Sequence, residues 1–482
     1  MGLTKATYNM ISQAPVNVRD FGATGDGVTD DSTAIQSAID YAETINQPSG
    51  GYGSTIVYFP SGVYLCKTAL TFAPFINYKG VISTIANAGT PYSTLTGSAG
   101  TIIRAHADIY NGSAPSGSNF KDGVLVHVPN GDCYIEGITF VGTATINSNP
   151  NVGVRLGTPV GSTSTCQGIS LKDIRFVACK IGMEWNSVLI ESGIRVYWES
   201  CTTCILSNPR QTFNTLTVGN EAYLTNCWFG AYSIGVYHMN DCLDHFSFEN
   251  TVWKPNDSIS VGVSGEFTAI TNINYQLNNC NFQTAFDNST ALASLAIGSF
   301  TTSSNPTKLA ITGCEFNNPI SINNPDTGSQ NYKNITFTGC VFNCETINIT
   351  AVNGVKFVGN DFIDTVLTFT NAAKRGVVIG NHFEMTTNAV PVVLNNGCAL
   401  TKIIGNSVSD VVTTQWPTFS GTASNGCTVI GNDQNSGANY DNQRFATSDN
   451  ASVPSNFAAN RTIKFEDVNG VPYYVAASSA TW

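Results

Sequence analysis

A short motif that recurs along the chain limits the possible folds more than any other feature of the sequence. From about Gly137 onward, alternating apolar positions are followed by Gly, then by Cys or Asn, and often by Phe two positions later. The clearest copies are Leu309–Phe316, Ile335–Phe342, Val355–Phe362 and Val377–Phe383. The anchors, which are Cys, Asn or in one copy Thr, stand at positions 179, 201, 227, 251, 280, 314, 340, 360, 381, 406 and 432, between 20 and 34 residues apart. One alternating strand per period, without a helical pattern between copies, predicts a solenoid of strands.

The anchors favour a parallel β-helix over a leucine-rich repeat. The Leu-x-x-Leu-x-Leu frame is missing, whereas identical residues on successive rungs of a β-helix stack about 4.8 Å apart. In such a column Cys fills a small buried slot and Asn hydrogen-bonds to the rungs above and below. The anchor cysteines are therefore predicted to be buried thiols rather than disulfides. The Cys201/Cys204 and Cys340/Cys344 pairs are predicted to be neither metal nor redox sites.

The composition excludes several classes of protein. Only 11% of the residues are charged, where an ordinary soluble domain carries about 25%, so the chain lacks the charged faces of a helical bundle. The net charge of −11 argues against nucleic acid or an anionic membrane as partner, because either requires a basic patch. No apolar run approaches the roughly 20 residues of a membrane span, and positions 1–12 lack the apolar core of a secretory signal. A soluble protein made in the cytoplasm is expected.

The start of the chain differs from the repeats. The apolar spacing from Ile35 to Ala42 predicts one amphipathic helix, with Thr29 or Asp30 as its N-cap. Capping of this helix explains the loop Gly25–Asp31 more simply than a calcium site does. The segment then acts as the N-terminal cap of the solenoid.

The end of the chain also departs from the motif. After about Asn435 the rungs stop, and Ile463–Asp467 and Pro472–Ala477 flank a Val-Asn-Gly turn, which predicts a hairpin. Because the last rung of a β-helix is exposed, this hairpin is expected to serve as a small C-terminal β cap or trimerisation element. The predicted domains are a tail or linker at 1–15, an entry segment at 16–75, the β-helix with insertions at 76–435 and the C-terminal region at 436–482.

The stretch Val16–Asp40, followed by Val57–Tyr64, resembles the entry segment of the pectate-lyase superfamily. Together with Met1–Pro15 it is most similar to bacteriophage tailspikes that depolymerise capsule or O-antigen. The resemblance implies an all-β, right-handed parallel β-helix, a homotrimer, and cleavage of a bacterial surface polysaccharide. It further implies a protein of the virion tail, assembled in the host cytoplasm, attached through its N-terminus to the tail or to another tailspike, and acting at the bacterial cell surface.

The resemblance assigns no catalytic residue, because tailspike active sites differ from one protein to the next. The Gly-His-Gly signature of polygalacturonases is absent, and no carboxylate cluster matches the calcium site of pectate lyases. A pectin-degrading enzyme is therefore disfavoured, and neither a cofactor nor a metal is expected.

The repeat alignment predicts which side chains face solvent. Residues three and five before each anchor point inward, so those two, four and six before it point outward. In four consecutive copies these outward positions include Asp173, Arg175, Arg195, Tyr197, Glu199, Glu221, Tyr223, His245 and Glu249. Later copies carry mainly neutral side chains there, so this patch is the candidate site.

Glycoside hydrolysis requires two carboxyl groups, about 5–5.5 Å apart for retention or about 6.5–9.5 Å for inversion. The alignment places Glu199 and Glu249 in one column two rungs apart, with backbones about 9–10 Å from each other, which predicts an inverting pair. Glu221 lies on the rung between them but roughly 13 Å along the strand, as a third candidate that binds sugar or adjusts a neighbour's pKa. Asp241 and Asp244 offer a competing pair with Glu221.

Other side chains of the patch are suited to binding sugar. Tyr197 and Tyr223 are predicted to be neighbours in one column, and aromatic rings of this kind supply flat faces for pyranoses. The tryptophans expected nearby in the same role are Trp198, Trp228 and Trp253. The cationic or titratable side chains that suit a uronate or another acidic sugar are Arg175, Arg195 and His245.

Three functions remain open from the sequence. The leading hypothesis is an endoglycosidase of the tailspike type that uses Glu199 and Glu249. The alternatives are a polysaccharide lyase, with Arg, Tyr or His as base and acid on a uronate, and a fibre that only binds its receptor. The same patch also fits a subunit interface, because interfaces are enriched in Tyr, Trp and Arg.

Overall fold

Parallel strands wind into a continuous coil over most of the chain. The computed structural model describes residues 14–46, 55–82, 100–106, 109, 123–142, 152–157, 166–186, 188–208, 212–213, 216–217, 220–239, 243–265, 272–297, 308–323, 334–371, 373–386, 389–395, 397–410, 418–420, 427–430, 432–434, 444–445, 462–466 and 472–476. Each turn contributes up to three strands, and each strand pairs in parallel with its equivalents one turn before and one turn after. The predicted right-handed parallel β-helix is confirmed.

The coil has three faces, which we number in the order in which the chain visits them. Face 1 consists of Val16–Asn17, Thr55–Tyr58, Ile76–Lys79, Cys133–Glu136, Glu221–Thr225, Leu243–Glu249, Asn272–Asn278, Lys308–Thr312, Asn334–Thr338, Lys356–Val358, Val377–Ile379, Lys402–Ile404 and Thr428–Ile430. Face 2 consists of Asp26–Asp30, Gly62–Cys66, Thr101–Ala105, Ile138–Val141, Trp228–Tyr232, Val252–Pro255, Asn281–Phe282, Glu315–Phe316, Val341–Phe342, Asp361–Ile363, His382–Met385, Ser407–Asp410 and Asp433–Gln434. Two long strands, Cys166–Val177 and Val188–Glu199, run from face 1 into face 2 without a break.

Face 3 closes each turn, and a few elements lie outside the three faces. Face 3 consists of Leu70–Thr71, Val124–Val128, Val152–Leu156, Ile181–Trp185, Thr203–Ser207, Ile234–His238, Val261–Gly265, Ala293–Ile297, Ile320–Asn323, Thr346–Thr350, Val366–Thr370, Val392–Asn395 and Thr418–Ser420. The remaining elements are a 3-10 turn at Val18–Phe21, the hairpin of Thr212–Phe213 with Leu216–Thr217, and Arg444–Phe445, which pairs antiparallel with Thr428–Ile430. The predicted C-terminal hairpin is also present, as Thr462–Glu466 paired with Pro472–Ala476.

The predicted N-terminal helix spans Ser32–Asn46 and buries its apolar stripe against the first rungs. Asp30 accepts a hydrogen bond from the first helical N–H at 3.1 Å, which is a capping contact. The Asp31 carboxylate turns back and accepts from the backbone N–H groups of Thr24 and Gly25 at 2.7 and 3.0 Å. The Asp31 carbonyl accepts the first intrahelical bond, from the Ile35 N–H at 2.9 Å, so Asp31 occupies the N-cap position and the predicted N-cap at Thr29 or Asp30 is wrong. No helix within the described ranges is long and apolar enough to span a membrane.

A left-handed residue marks the corner between face 1 and face 2 in eleven turns, from Gly137 to Gly405. At this position φ lies between 50° and 71° in Gly137, Asp173, Arg195, Asn226, Asn250, Asn279, Gly313, Gly339, Gly359, Gly380 and Gly405. L-residues rarely adopt this conformation, and Gly and Asn tolerate it best. A Cβ added at Gly339 or Gly359 would meet nothing within 4 Å. At these two corners glycine is therefore favoured by the backbone angle and not by lack of space.

The anchors of the sequence motif follow this corner, but in two columns instead of one. Cys227 and the later anchors up to Asn406 come directly after a left-handed corner residue and stack inward. In the two long strands that place belongs to Ile174 and Val196, because Ile194 pairs with Thr225 across the rungs. Cys179 and Cys201 lie five residues further on, at the end of face 2. The single anchor column predicted from the sequence is therefore wrong for these two copies.

Asparagines form a buried hydrogen-bonded ladder in the later turns. The Oδ1 of Asn381 accepts from the backbone and side-chain nitrogens of Asn360, both at 2.9 Å. Asn381 in turn donates to Oδ1 of Asn406 at 2.9 and 2.8 Å, and its side chain donates to the Phe357 carbonyl at 3.1 Å. Each amide thereby joins three successive turns, as predicted for this column.

The cysteines of the described ranges are all buried and free of disulfides. Cys280, Cys314 and Cys340 stack on successive turns, and the Cys280 backbone N–H donates to Sγ of Cys314 at 3.3 Å. Burial raises the pKa of the Cys227 thiol to about 12, so it stays protonated and unreactive at neutral pH. The prediction of buried thiols is confirmed here, whereas Cys242 lies outside the described residues.

Replacing Asn381 by Ala should destabilise the coil. The change leaves the backbone and side-chain nitrogens of Asn360 without their acceptor and removes the side-chain donor to the Phe357 carbonyl, and each unpaired buried group costs about 1–3 kcal/mol. We expect the free energy of unfolding in denaturant to fall by at least about 2 kcal/mol. Asn348 lies half-buried on face 3 and supplies the control, because Asn348→Ala should change stability by less than about 0.5 kcal/mol. Equal losses in the two variants would contradict the ladder's role.

Candidate functional site

The structure separates the carboxylate pair predicted from the repeat alignment. Glu249 lies opposite Thr225, and Thr225 lies opposite Ile194, which is five residues before Glu199 in the same long strand. Glu199 instead lies on face 2, opposite Gly230. Five positions of strand and two rungs put the two backbones on the order of 15 Å apart, beyond the inverting range. Glu199 and Glu249 therefore do not form the predicted pair.

Glu221, Tyr223 and His245 come together on the outer side of face 1, and we call them the face-1 cluster. Glu221 and His245 lie opposite each other on neighbouring strands. The Tyr223 hydroxyl donates to Oε1 of Glu221 at 2.6 Å, and the same oxygen lies 3.6 Å from Nδ1 of His245. The Tyr223 and His245 rings meet edge to face with centroids 6.1 Å apart. The bond to Glu221 raises the pKa of Tyr223, so the phenol remains a proton donor at neutral pH.

The face-1 cluster is open to a ligand. Tyr223 is 42% exposed, and the Glu221 and His245 side chains are 42% and 33% exposed. Nε2 of His245 is shielded from solvent and has no hydrogen-bond partner among the residues that the structure describes. The neighbouring long strand carries a β-bulge between Ile190 and Gly193, next to Tyr223. Bulges of this kind re-aim side chains and occur frequently beside active sites.

A second group of predicted site residues lines a pocket at the corner between face 1 and face 2. Ile82, Thr139, Asp173, Arg175 and Tyr197 form its walls. The Arg175 guanidinium lies 5.2 Å from the centre of the Tyr197 ring, within cation–π range. No carboxylate of the described residues pairs with Arg175. The pocket thus combines a flat aromatic surface with an available cation.

The other cations at this corner are already paired. Arg195 makes two hydrogen bonds to Asp173, at 2.6 and 2.8 Å, from adjacent corner positions. Lys79 and Lys172 both contact Glu136, at 3.2 and 2.8 Å. These contacts set three cations, Arg195, Lys79 and Lys172, against the two carboxylates of Asp173 and Glu136. Together with Arg175, this group of six side chains carries two net positive charges. In a chain with a net charge of −11, this surplus is a local exception.

The pocket and the face-1 cluster lie on one surface. Arg195 occupies the corner position equivalent to Asn226, which is three residues after Tyr223. Three strand positions and one rung separate the Arg195 and Tyr223 backbones by roughly 11 Å. An extended polymer lying across the corner can therefore contact both groups at once.

Several predicted sugar-binding residues lie elsewhere than expected. Tyr197 pairs with Trp228, which is half-buried on the outer side of face 2, so Tyr197 and Tyr223 are not neighbours. Trp198 and Trp253 are fully buried. They belong to an inward stack of rings that also contains Phe140, Phe176, Phe229, Phe282, Phe316, Phe342, Phe362 and Phe383. The two buried tryptophans are structural, and their predicted binding role is wrong.

The competing pair proposed for Glu221 is not formed by Asp244. Asp244 is only 2% exposed and points into the coil, where it hydrogen-bonds to other buried side chains. The alternation of a strand sends Asp244 inward because His245, the next residue, faces outward. Asp241 lies outside the described residues.

With this geometry in view, comparisons with known proteins identify the family. The family model described as "Rhamnogalacturonase A/epimerase, pectate lyase-like" matches residues 15–281, which is more than half of the chain. The chain belongs to this family. Its pectate-lyase-like β-helix is a fold of carbohydrate-active proteins, in agreement with the superfamily expected from the entry segment.

Individual relatives match over short segments. The chain is 50% identical over 52 residues to "Plasmin and fibronectin-binding protein A" of Streptococcus pneumoniae, a match that covers 11% of this chain and 6% of the relative. It is 52% identical over 48 residues to "Mannuronan C5-epimerase AlgE1" of Azotobacter vinelandii, covering 10% of this chain and 3% of the relative. Among solved structures, the A-module of mannuronan C-5 epimerase AlgE6 of Azotobacter vinelandii is similar, with 16% identity and a TM-score of 0.49 over 87% of this chain and 98% of that one.

The strand register predicts which charged pairs depend on each other. Double-mutant cycles on unfolding free energy should give a coupling of about 0.5 kcal/mol or more between Asp173→Asn and Arg195→Gln, which share two hydrogen bonds. The same cycle with Glu199→Gln and Glu249→Gln should be additive within about 0.3–0.5 kcal/mol, because these residues lie far apart. Coupling between Glu199 and Glu249 would contradict the observed strand register and support the one predicted from the sequence alignment.

Proposed function

We propose that this protein is a depolymerase of the tailspike type, which binds a bacterial surface polysaccharide across the corner of face 1 and face 2 and cleaves it at the face-1 cluster. The observation that carries the proposal is the exposed hydrogen bond between Tyr223 and Glu221 beside His245. A protonated phenol and a carboxylate held together on an open surface can donate and accept a proton in one step. Membership of the pectate-lyase-like family supports a carbohydrate as the substrate.

The geometry favours elimination at a uronate over hydrolysis. In elimination, Glu221 removes the proton from the carbon beside the uronate carboxyl group, and the electron pair forms a carbon–carbon double bond. The glycosidic carbon–oxygen bond breaks, and the Tyr223 hydroxyl protonates the departing oxygen. Arg175, above the Tyr197 ring, binds the carboxylate of a neighbouring sugar. Both proton-transfer groups lie on one side of the polymer, as a syn elimination requires.

Hydrolysis needs a second carboxyl group within about 10 Å of Glu221. On the neighbouring strand the next outward carboxylate is that of Glu249, four positions beyond His245 and thus roughly 13 Å along the strand. Asp244 is buried, and Glu199 lies on face 2. Among the described residues, the face-1 cluster therefore matches the lyase alternative better than the carboxylate pair.

The proposed setting is that of a phage tail. We infer a homotrimer of side-by-side coils, attached by the N-terminal residues to the virion tail or to another tailspike. In this setting the polysaccharide of the bacterial cell surface is both the receptor and the substrate. Support comes from the entry segment at 16–40 and 57–64, which resembles that of tailspikes.

Replacing Tyr223 by Phe should abolish most of the activity. The variant keeps the ring but loses the proton donor, and general acid catalysis contributes about 100- to 10,000-fold. We expect release of polysaccharide fragments to slow by at least about 100-fold. Tyr237→Phe, on face 3, is the matched control and should cleave at the unmodified rate.

The products distinguish the possible reactions. A panel of capsule and O-antigen polysaccharides is incubated with the protein, and the masses of the fragments are determined by mass spectrometry. Elimination gives unsaturated fragments that absorb ultraviolet light, whereas hydrolysis gives fragments that have gained a water molecule. Hydrolytic products, or full activity in Tyr223→Phe, would overturn the proposed chemistry. Binding without any fragmentation would instead favour a receptor-binding fibre.

A further inference from the structure

A buried polar network lies directly behind the face-1 cluster. Asp244 and Asn220 are 2% and 1% exposed, and Ser207 and His238 are completely buried. These side chains project into the coil where face 3 ends and face 1 begins. Buried groups of this kind are retained only when hydrogen bonds compensate for their desolvation.

The Asp244 carboxylate is the centre of the network. Its Oδ2 accepts from the Ser207 hydroxyl and lies 2.6 Å from Nδ1 of His238, while its Oδ1 accepts from the Asn220 backbone N–H at 3.0 Å. On the far side of the imidazole ring, Nε2 lies 2.7 Å from the Tyr275 hydroxyl. A carboxylate with three partners in a dry interior is held rigidly.

The network continues through Asn220. Its side-chain nitrogen donates to the Ser207 hydroxyl oxygen at 2.8 Å, and its Oδ1 accepts from the Val188 backbone N–H at 2.9 Å. The His245 backbone N–H donates to the Asn220 carbonyl at 2.8 Å. Ser207 therefore bridges Asp244 and Asn220, and Asn220 is bonded directly to the backbone of His245.

The two central residues of the network immediately precede two members of the face-1 cluster. Asn220 precedes Glu221, and Asp244 precedes His245. Successive side chains of a strand point to opposite sides, so an inward Asn220 or Asp244 fixes an outward Glu221 or His245. The same backbone units carry both the buried network and the exposed cluster.

We propose that Asp244, with His238, Ser207 and Asn220, is a positioning device that fixes the two strand starts carrying Glu221 and His245 and so places the Glu221 carboxylate for proton transfer. This inference rests on the function proposed for the face-1 cluster. Proton transfer depends steeply on geometry, and a displacement of about 1 Å can cost about 100-fold in rate. The network touches no substrate, because it lies inside the coil.

Asp244→Asn tests the proposal. The amide has the size of the carboxylate but cannot accept from all three donors, so the starts of both strands shift. We expect kcat for polysaccharide cleavage to fall by at least about 10-fold while KM changes by less than about 2-fold. Substrate binding at Arg175 and Tyr197, on other strands, is left intact. The ring signals of His245 in a histidine-labelled NMR spectrum should also move.

The control separates positioning from general destabilisation. Asp31 is 1% exposed, and its carboxylate accepts from the backbone N–H groups of Thr24 and Gly25 at the N-terminal end of the coil, several turns before the face-1 cluster. Asp31→Asn is the same carboxylate-to-amide exchange and should lower stability while leaving kcat and the His245 signals unchanged. If Asp244→Asn does not fold, Ser207→Ala breaks the bridge between Asp244 and Asn220 with minimal loss of volume. That variant should lower kcat by about 3-fold or more.

Each outcome supports or overturns the inference. An unchanged kcat in Asp244→Asn and Ser207→Ala, or the same loss in Asp31→Asn, would overturn the positioning role. If Tyr223→Phe is inactive while both network variants are fully active, only the positioning inference fails. If Tyr223→Phe keeps full activity, the proposed function fails, and unmoved His245 signals in Asp244→Asn would then refute the positioning separately.

Discussion

The left-handed residue at the corner of faces 1 and 2 is the constraint on which the rest of the structure depends. From Gly137 to Gly405 it turns the chain through the corner at the same point in successive rungs, so the strands before and after it are held in register with their neighbours. Glycine and asparagine occupy most of these corners because they adopt a positive φ at little cost. The two exceptions, Asp173 and Arg195, lie in the two long strands and are tied to each other by a bidentate ion pair. Their mutual hydrogen bonds help to offset a backbone conformation that neither residue favours.

The register of the strands also determines which side chains face the interior and which face solvent. Inward positions take aromatic rings, thiols and asparagines, which stack rung upon rung and stabilise the coil. Among the described residues, outward positions of the later turns carry mainly neutral side chains, whereas those around the two long strands gather charge. The face-1 cluster and the buried network centred on Asp244 lie on the outer and inner sides of the same two strands, where these strands begin. A rigid polar interior can therefore support a reactive surface, since one backbone serves both.

The fold could be predicted from the sequence because the repeat records a physical requirement of every turn. The anchors, the single helix at 32–46 and the terminal hairpin all follow from local patterns, and the structure contains each of them. The site was predicted only in part. The segment Val196–Cys201 matches the motif by chance, because apolar positions precede a cysteine. The left-handed corner of that turn is Arg195 instead. The five-residue offset moved Glu199 out of the column of Glu249.

Sequence patterns also could not reveal the contacts that define the candidate site. Glu221 and His245 are 24 positions apart, and only the pairing of their strands brings them together. Trp198 stands three positions before Cys201, where the alignment itself points inward, so its burial follows from the pattern and its predicted sugar-binding role does not. One signal in the sequence could have given the correct register of the two long strands. Asp173 and Arg195 occupy equivalent positions, each directly before an apolar residue, and each is the left-handed corner residue of its turn.

Chemical cross-linking of paired cysteines tests the register directly. Ile194 and Thr225 face outward on neighbouring strands, about 5 Å apart, whereas Glu199 and Thr225 are separated by the corner. With Ile194→Cys and Thr225→Cys in one chain, a short thiol-to-thiol reagent should join the two residues, and the buried native thiols should stay unmodified. The pair Glu199→Cys and Thr225→Cys should remain unlinked. Cross-linking of the second pair but not the first would contradict the register, and with it the surface that unites the corner pocket and the face-1 cluster.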